Sequence, residues 1–315
     1  MDTADALEAV RAGGLLDGPV VVLLSGGRDS VCLLDLAALV CGPDAVCALH
    51  VNYGLRAEAD ADEAACAALC GRLGVELQVE HVQRPSGAAA GNLQAWARDV
   101  RYGAGSRLAV ERGARLAAGH TTSDQVETVL YRLASSPGRR ALLGMPDADG
   151  LLVRPLLRAG LARADTAAWC AARGLPWRED ASNEDRAFAR ARVRVELLPA
   201  LRAVDPRAEA NVLRTAELLR AEAAVLDEVV AAALAGRTAI ARADLAALPP
   251  ALGRLVVRRL AEDATGALCA RAAGRLAEIL ALPDPGALDV GDGARAIVRA
   301  GSVAFERTPP IAGRR

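Results

Sequence analysis

The residues Ser25-Gly26-Gly27-Arg28-Asp29-Ser30 stand between two apolar runs, Val20 to Leu24 and Val31 to Leu34. The pattern reads as a buried strand, a tight glycine turn and the start of a helix. Such a turn aims several backbone N–H groups at one point, and the helix adds the positive end of its dipole. A phosphate fits there. The two glycines let the backbone approach closely because no Cβ intrudes. Ser25 and Ser30 can add hydroxyl donors. Asp29 is the odd member, a carboxylate in an anion site, and a Mg2+ ion between it and the phosphates would account for it. The same residues also fit a plainer description, a serine-capped helix after a glycine turn.

Two other phosphate motifs are excluded. The chain contains no Lys and so has no Walker-type loop, and G-x-G-x-x-G is absent. The pattern S-G-G-x-D-S after a first strand instead resembles the PP-loop of the ATP pyrophosphatases. That resemblance implies cleavage of ATP between its α and β phosphates and adenylation of a substrate.

At 315 residues there is room for two or three domains. Aromatics make up only 3%, so the cores must be built from Ala, Leu and Val. Abundant Ala, Gly and Arg without Lys point to a biased composition, which weakens the meaning of any single Arg. The net charge of −1 argues against a general basic coat, so an RNA site would be a local patch. Seven Cys in apolar or alanine-rich surroundings, without tight spacing, fit reduced structural thiols and a cytoplasmic protein. Cys66 and Cys70 form an x3 pair, for which a zinc or redox role is the weaker reading. No signal sequence or membrane span is evident.

Read in order, strand and helix patterns alternate. A short helix ends at Gly13-Gly14, and strands follow at Val20–Leu24, Ala45–Val51, Val75–Val82 and Ala114–Gly119. Helices fill the intervals up to about Val40, from Asp60 to Leu73, from Gly91 to Arg112 and from Thr122 to Ala134. This alternation predicts an open parallel α/β sheet with flanking helices. In such sheets ligands bind beyond the carboxyl ends of the strands.

Polar clusters fall at those ends. His50-Val51-Asn52-Tyr53-Gly54-Leu55-Arg56 follows the second strand, as a pocket wall or a plain turn. Arg98 and Arg101 share a helix face and could clamp phosphates or simply be solvated. His120 closes a strand, and Asp124, Gln125 and Glu127 open the next helix, where the dipole alone favours acidic residues.

S-G-G-x-D-S, H-V-N-x-G-L-R, A-R-x-x-R-Y and A-G-H-x-x-x-D-Q-x-E-T occur in that order, and together they resemble the tRNA(Ile)-lysidine synthetase family. Leu143-Gly144-Met145, Arg154-Pro155-Leu156, Glu179-Asp180-Ala181-Ser182-Asn183 and the Arg190 to Arg194 stretch before Glu196-Leu197-Leu198-Pro199 extend the match over about residues 20–200. Three positions depart from the family pattern: Tyr53 replaces a usual His, Gln94-Ala95 a carboxylate pair, and Ala191 an Asn. The first leaves His50 as that turn's only proton carrier.

The resemblance implies a reaction. ATP adenylates the ring carbonyl oxygen of the wobble cytidine in an isoleucine tRNA with a CAU anticodon. The ε-amine of free L-lysine then displaces AMP, and the codon read changes from AUG to AUA. Carried onto this chain, ATP binding falls to Ser25, Gly26, Gly27, Arg28, Asp29, Ser30 and His50, and Mg2+ to Asp29 and Asp124. Catalysis falls to Asp29, Arg101, His120, Asp124 and Glu127, with Arg101 meeting charge on the α-phosphate and His120 or Asp124 taking the ammonium proton. RNA contacts are expected from Arg154, Arg190, Arg192 and Arg194; Arg186, Arg190 and Arg194 would share one helical face. The alternatives are another PP-loop enzyme such as a tRNA thiolase, which commonly carries a C-x-x-C pair that is absent here, and a non-catalytic nucleotide- or RNA-binding module.

Beyond about residue 200 the pattern turns helical. A long alanine-rich helix runs from Arg207 to about Gly236, and two more follow around 248–263 and 267–280. Short strands are expected from Leu288 to Glu306. The expected division is a catalytic PP-loop domain over 1–200 and a mainly helical tRNA- or substrate-binding domain over 201–315. Longer family members carry a further C-terminal domain that these residues do not include.

Overall fold

A computed structural model describes residues 1–55, 58–83, 93–136, 138–178 and 188–309. Arg56, the 179–183 match and Arg186 lie outside these residues. The chain separates into two compact units, Met1–Leu219 and Arg220–Arg315.

The first unit is built on six strands: β1 (Val20–Leu23), β2 (Val46–Asn52), β3 (Glu76–His81), β4 (Arg115–Ala117), β5 (Ala148–Asp149) and β6 (Leu152–Val153). Their order is β3-β2-β1-β4-β6-β5, parallel except for β5, which runs antiparallel to β6. The helices are α1 (Thr3–Ala12), α2 (Arg28–Cys41), α3 (Ala59–Leu73), α4 (Leu93–Glu111), α5 (Thr122–Ser135), α6 (Pro155–Arg158), α7 (Arg163–Ala172), α8 (Ala189–Arg192) and α9 (Leu198–Val204), with α10 (Ala208–Leu234) running on into the second unit.

The apolar runs of β1 and β2 are uninterrupted because both faces of the sheet are buried. Val20, Val22 and Ala48 face a core shared with α1, α2 and α7. Val21, Leu23, Cys47 and Leu49 face a second core shared with Ala104 and Ala109 of α4. β2 and β3 lie on one side of β1, and β4 and β6 on the other. The strand order therefore reverses between β1 and β4, the place where open α/β sheets bind ligands.

That junction is closed tightly. Gly26 takes a φ of +79°, a left-handed turn that side chains resist. Gly119, after β4, lies so close to the start of α2 that a Cβ there would stand 2.9 Å from the Asp29 carbonyl oxygen. The stretch from Gly138 to Gly150, which reads as a polar connection, holds a 3-10 turn at Arg139–Leu143 and the strand β5. Two-residue strands are too short for any alternation to be visible.

The second unit carries β7 (Ala239–Ala241), α11 (Arg242–Ala247), α12 (Pro250–Thr265), α13 (Leu276–Leu280), β8 (Gly286–Gly291), β9 (Ala294–Arg299) and β10 (Ser302–Arg307). Its antiparallel sheet has the order β7-β10-β9-β8. Val256, Val257 and Leu260 of α12 pack with Val298 and Val303 in its core. The expected late strands are present; β7 is an addition. No helix among the described residues is long and apolar enough to cross a membrane.

Gly119→Ala should destabilise the protein by about 1–3 kcal/mol, the usual cost of forcing a methyl into packed structure. Gly103→Ala is the control, since its new Cβ meets nothing nearer than 3.7 Å and helical Gly→Ala is usually favourable. Thermal unfolding of the two variants checks this; equal melting temperatures would refute the close approach.

Candidate active site

The six-residue loop is closed by its own serines. Ser30 Oγ donates to the Gly27 carbonyl at 2.7 Å and accepts from the Ser25 amide at 3.2 Å. Ser25 Oγ lies 3.1 Å from Ser30 Oγ and accepts from the Gly27 amide at 3.4 Å. Gly27 caps α2 without a side chain, so the first amides of that helix face the loop unclaimed by a cap. The loop is thus tied to itself directly before the N-terminus of α2, the place that suits an anion.

Three carboxylates meet beside it. Asp124 Oδ2 accepts from the Thr121 amide and hydroxyl, both at 2.8 Å, in a capping box that starts α5. Asp124 Oδ1 accepts from Arg163 Nη2 at 2.5 Å. Glu127, whose side chain is 3% exposed, accepts from Arg163 Nη1 at 2.6 Å and from Arg194 Nε and Nη2 at 2.7 and 3.0 Å. Asp29 Oδ1 accepts from Thr166 Oγ1 at 2.5 Å, and its Oδ2 lies 3.7 Å from Arg163 Nε. Burial raises the Asp29 carboxyl above its ordinary range and the charge of Asp124 adds to this, against the pull of Thr166, Arg28 and Arg163. For Asp124, burial pushes upward, but Arg163 and the Thr121 hydrogen bonds outweigh it and hold the carboxyl low.

Arg163 and Thr166 have no counterpart in the sequence reading. Both sit on α7, which is docked on α2 through Asp35: that buried carboxylate accepts from Trp169 Nε1 at 2.9 Å and from Arg173 Nε and Nη2 at 2.9 and 3.0 Å. The one available signal was Asp165 at the third position of a helix, which locates α7 but not what it faces.

His120 is held differently from a catalytic base. Arg154 Nε donates to its Nδ1 at 3.2 Å. An arginine is always protonated, so Nδ1 is the lone-pair nitrogen and Nε2 carries the hydrogen. Nε2 lies 3.5 Å from Tyr102 Oη. Burial lowers His120 to about 4, helped by the charges of Arg154, Arg98 and Arg101 against that of Asp124. The imidazole is therefore neutral at pH 7 and has no free lone pair for a proton. The base role expected of it does not fit this arrangement; a hydrogen-bond donor through Nε2 does. Arg154, expected at RNA, is 4% exposed and also donates to the Pro146 carbonyl at 2.6 Å.

The remaining residues divide. His50 is buried, and its Nδ1 donates to the Leu24 carbonyl at 3.0 Å, tying β2 to the end of β1. Asn52 closes its own turn through the Gly54 amide and donates to Asp60 and Glu63 of α3. Tyr53 donates to the Ala97 carbonyl at 2.8 Å and packs on Trp96, pinning the helix that carries Arg98 and Arg101. Gln125 exchanges two hydrogen bonds with Met145, which explains the Leu-Gly-Met match as a clamp on α5. Arg190 Nη2 donates to buried Thr128 at 2.8 Å, so Arg190 and Arg194 share a face that is turned toward α5, while Arg192 is exposed. Burial pushes the Cys66 thiol up to about 12, and all seven cysteines are free. Among the described residues no group of three or more His, Cys, Asp or Glu is placed to hold a metal ion.

A family model described as a PP-loop domain matches residues 9–201. A tRNA(Ile)-lysidine synthase from Salinispora tropica is 40% identical over 302 residues, covering 90% of this chain and 89% of the relative. Relatives of the same name from Pseudomonas fluorescens and Thermus thermophilus are 41% and 38% identical over 66% and 78% of this chain. The chain spans about half the length of those two relatives, 47% and 48%. In fold it is similar to the U34-tRNA thiolase NcsA from Methanococcus maripaludis, with a TM-score of 0.57 at 18% identity, covering 69% of this chain and 78% of that one.

The His120 geometry predicts a pH effect. Its pKa is about 6.5 when unfolded and about 4 when folded, so the unfolded chain binds more protons between these values. This group's contribution is full above about pH 6.5 and is lost as pH falls toward 4. His120→Gln should flatten the dependence of melting temperature on pH in that window relative to wild type. Parallel curves would show that His120 is not held neutral.

Proposed function

This chain belongs to the tRNA(Ile)-lysidine synthase family, and on that premise we propose that it joins free L-lysine to the wobble cytidine of an isoleucine tRNA with a CAU anticodon. The cytidine carbonyl oxygen attacks the α-phosphorus of ATP and pyrophosphate leaves. The ε-amine of lysine then attacks the ring carbon and AMP leaves. What supports this reading in the molecule is the convergence, at the ends of β1 and β4, of a phosphate loop, a facing carboxylate pair and a neutral imidazole donor.

Ser25, Gly26, Gly27 and Ser30 hold the departing pyrophosphate, with Arg28 beside them. Asp29 and Asp124 suit a Mg2+ ion: they are hard oxygen donors whose mutual repulsion already calls for a cation between them. Two carboxylates are too few by themselves, so nucleotide oxygens would complete the shell. Such an ion would neutralise phosphate charge as the pyrophosphate leaves. Arg101 and the Nε2–H of His120 stabilise charge on the α-phosphate, the way a fixed donor in a water-poor site does. Arg154 keeps His120 in that tautomer. Glu127 anchors Arg163 and Arg194. Asp124 is held low by Arg163 and Thr121, and the open oxygen of Asp29 faces the metal place, so the amine sheds its proton to solvent before attack. We assign residues 1–200 to catalysis, 201–315 to tRNA binding, Arg192 to an RNA phosphate with Arg190 beside it, and the protein to the cytoplasm, where its three substrates are found.

Incubation of tRNA transcript, ATP and radiolabelled lysine, with each component omitted in turn, tests the reaction; lysine incorporation without ATP, or none with all three, rejects it. Asp29→Ala should abolish AMP release in that assay while leaving the fold intact. Lysine-limited turnover should climb with pH toward the ordinary amine pKa near 10. An inflection near pH 6–7 that disappears in His120→Gln would return His120 to the base role. Arg192→Ala should weaken tRNA binding and flatten the slope of log K against log salt by about 0.7–0.9, equally for cognate and non-cognate tRNA. Arg194→Ala should lower stability as well, since buried Glu127 loses one of its two guanidinium partners.

A further inference from the structure

We propose that Arg163 is a positioning residue that occupies the cation place between Asp29 and Asp124 and yields it to the divalent ion that enters with ATP. The inference rests on the nucleotide-site reading above and deepens it. It starts from which oxygens are committed. Asp124 Oδ2 is fixed in the helix cap by Thr121, and Asp29 Oδ1 is held by Thr166 with Arg28 Nε at 3.4 Å. The oxygens left to face a ligand are Asp29 Oδ2 and Asp124 Oδ1. Both point at Arg163, at 3.7 and 2.5 Å.

The contacts of Arg163 are unequal in a way that suits exchange. Toward Asp29 it has an ion pair longer than a hydrogen bond. Toward Glu127 it has a buried contact of 2.6 Å that Arg194 reinforces on the same carboxylate. A Mg2+ ion takes oxygens at about 2.1 Å. An ion on Asp124 Oδ1 at that range repels a guanidinium nitrogen bonded to the same oxygen. Arg163 then loses Asp124 and Asp29 and keeps Glu127. The guanidinium balances the acid pair until the ion arrives, and its presence makes the empty pair a poor trap for free divalent ions. The metal therefore binds as its nucleotide complex, when phosphate oxygens supply the remaining ligands.

The test measures Mn2+, as a spectroscopic stand-in for Mg2+, by electron paramagnetic resonance on the nucleotide-free full chain. Wild type should bind Mn2+ weakly without ATP and well with a non-hydrolysable ATP analogue. Arg163→Met should bind Mn2+ without nucleotide at least tenfold more tightly than wild type, and adding Asp124→Asn should remove the gain. Folded Arg163→Met with a Mn2+ affinity within twofold of wild type overturns the proposal. Should Arg163→Met fail to fold, Arg163→Met/Glu127→Gln removes one of the three clustered carboxylate charges and is read by the same criterion. Wild type supplies an arm that needs no variant: the Arg163 Nε–H resonance should shift when Mg2+ and the ATP analogue are added together, and an unmoved signal overturns the exchange. Loss of metal-dependent nucleotide binding in wild type overturns the site reading and this inference with it. Intact nucleotide binding with unchanged Mn2+ affinity in Arg163→Met overturns the inference alone.

Discussion

Three carboxylates brought to one place repel one another, and the site depends on how that repulsion is balanced. Two like charges about 4 Å apart oppose each other by about 4 kcal/mol at an effective dielectric of 20. Asp29, Asp124 and Glu127 gather around a single guanidinium, with a second on Glu127. Removing one partner of a buried ion pair commonly costs about 3–5 kcal/mol, a large share of a domain's stability. Arg163 thus offsets much of the repulsion within the acid cluster. A guanidinium suits this task because its planar fork can hold two carboxylates in one geometry.

Much of the surrounding structure serves to place that one side chain. α7 must lie at a fixed height along α2, and Asp35 in the middle of α2 with Trp169 and Arg173 at the C-terminal end of α7 set that height. Thr166, one turn beyond Arg163, reaches Asp29 from the same face. On the opposite side, the Thr121 cap fixes the rotation of Asp124, so only one of its oxygens can turn toward the loop. Gly119 lets the β4 end come against α2 without a side chain between them. A local capping motif, a glycine and a buried helix pair together define the site.

What could be read from the chain follows from the range of the interactions involved. The strand, the glycine turn and the start of α2 are encoded within some fifteen consecutive residues, so pattern alone locates them. The parallel sheet is legible because its inner strands are apolar throughout. The arginines are different. An i, i+4 spacing says that Arg190 and Arg194 share a face, but not that this face meets Thr128 and Glu127 some sixty residues earlier. Arg163 looks like any helix arginine in a chain rich in them. Arg154 carries the same ambiguity: its charge suggested RNA, and its burial gives it to His120. The strands β5, β6 and β7 are too short for an alternation to register.

The role of His120 shows how one neighbour decides a titratable group's chemistry. A histidine at a strand end, beside an aspartate, invites assignment as a base. Had a carboxylate bonded Nδ1, it would have raised the pKa and made Nε2 the accepting nitrogen. Arg154 does the reverse. A donor at Nδ1 leaves Nε2 protonated, and added positive charge opposes any second proton. The imidazole becomes a fixed N–H, which on the proposed reaction would stabilise phosphate charge, a use that neutral imidazole serves in other enzymes. The absence of lysine from the chain bears on the same chemistry. On the proposed reaction, an adenylated cytidine is open to any neutral amine near it. Guanidiniums stay protonated and do not compete, so this site can be lined with cations while the attacking amine of the substrate is the one side-chain-type amine present.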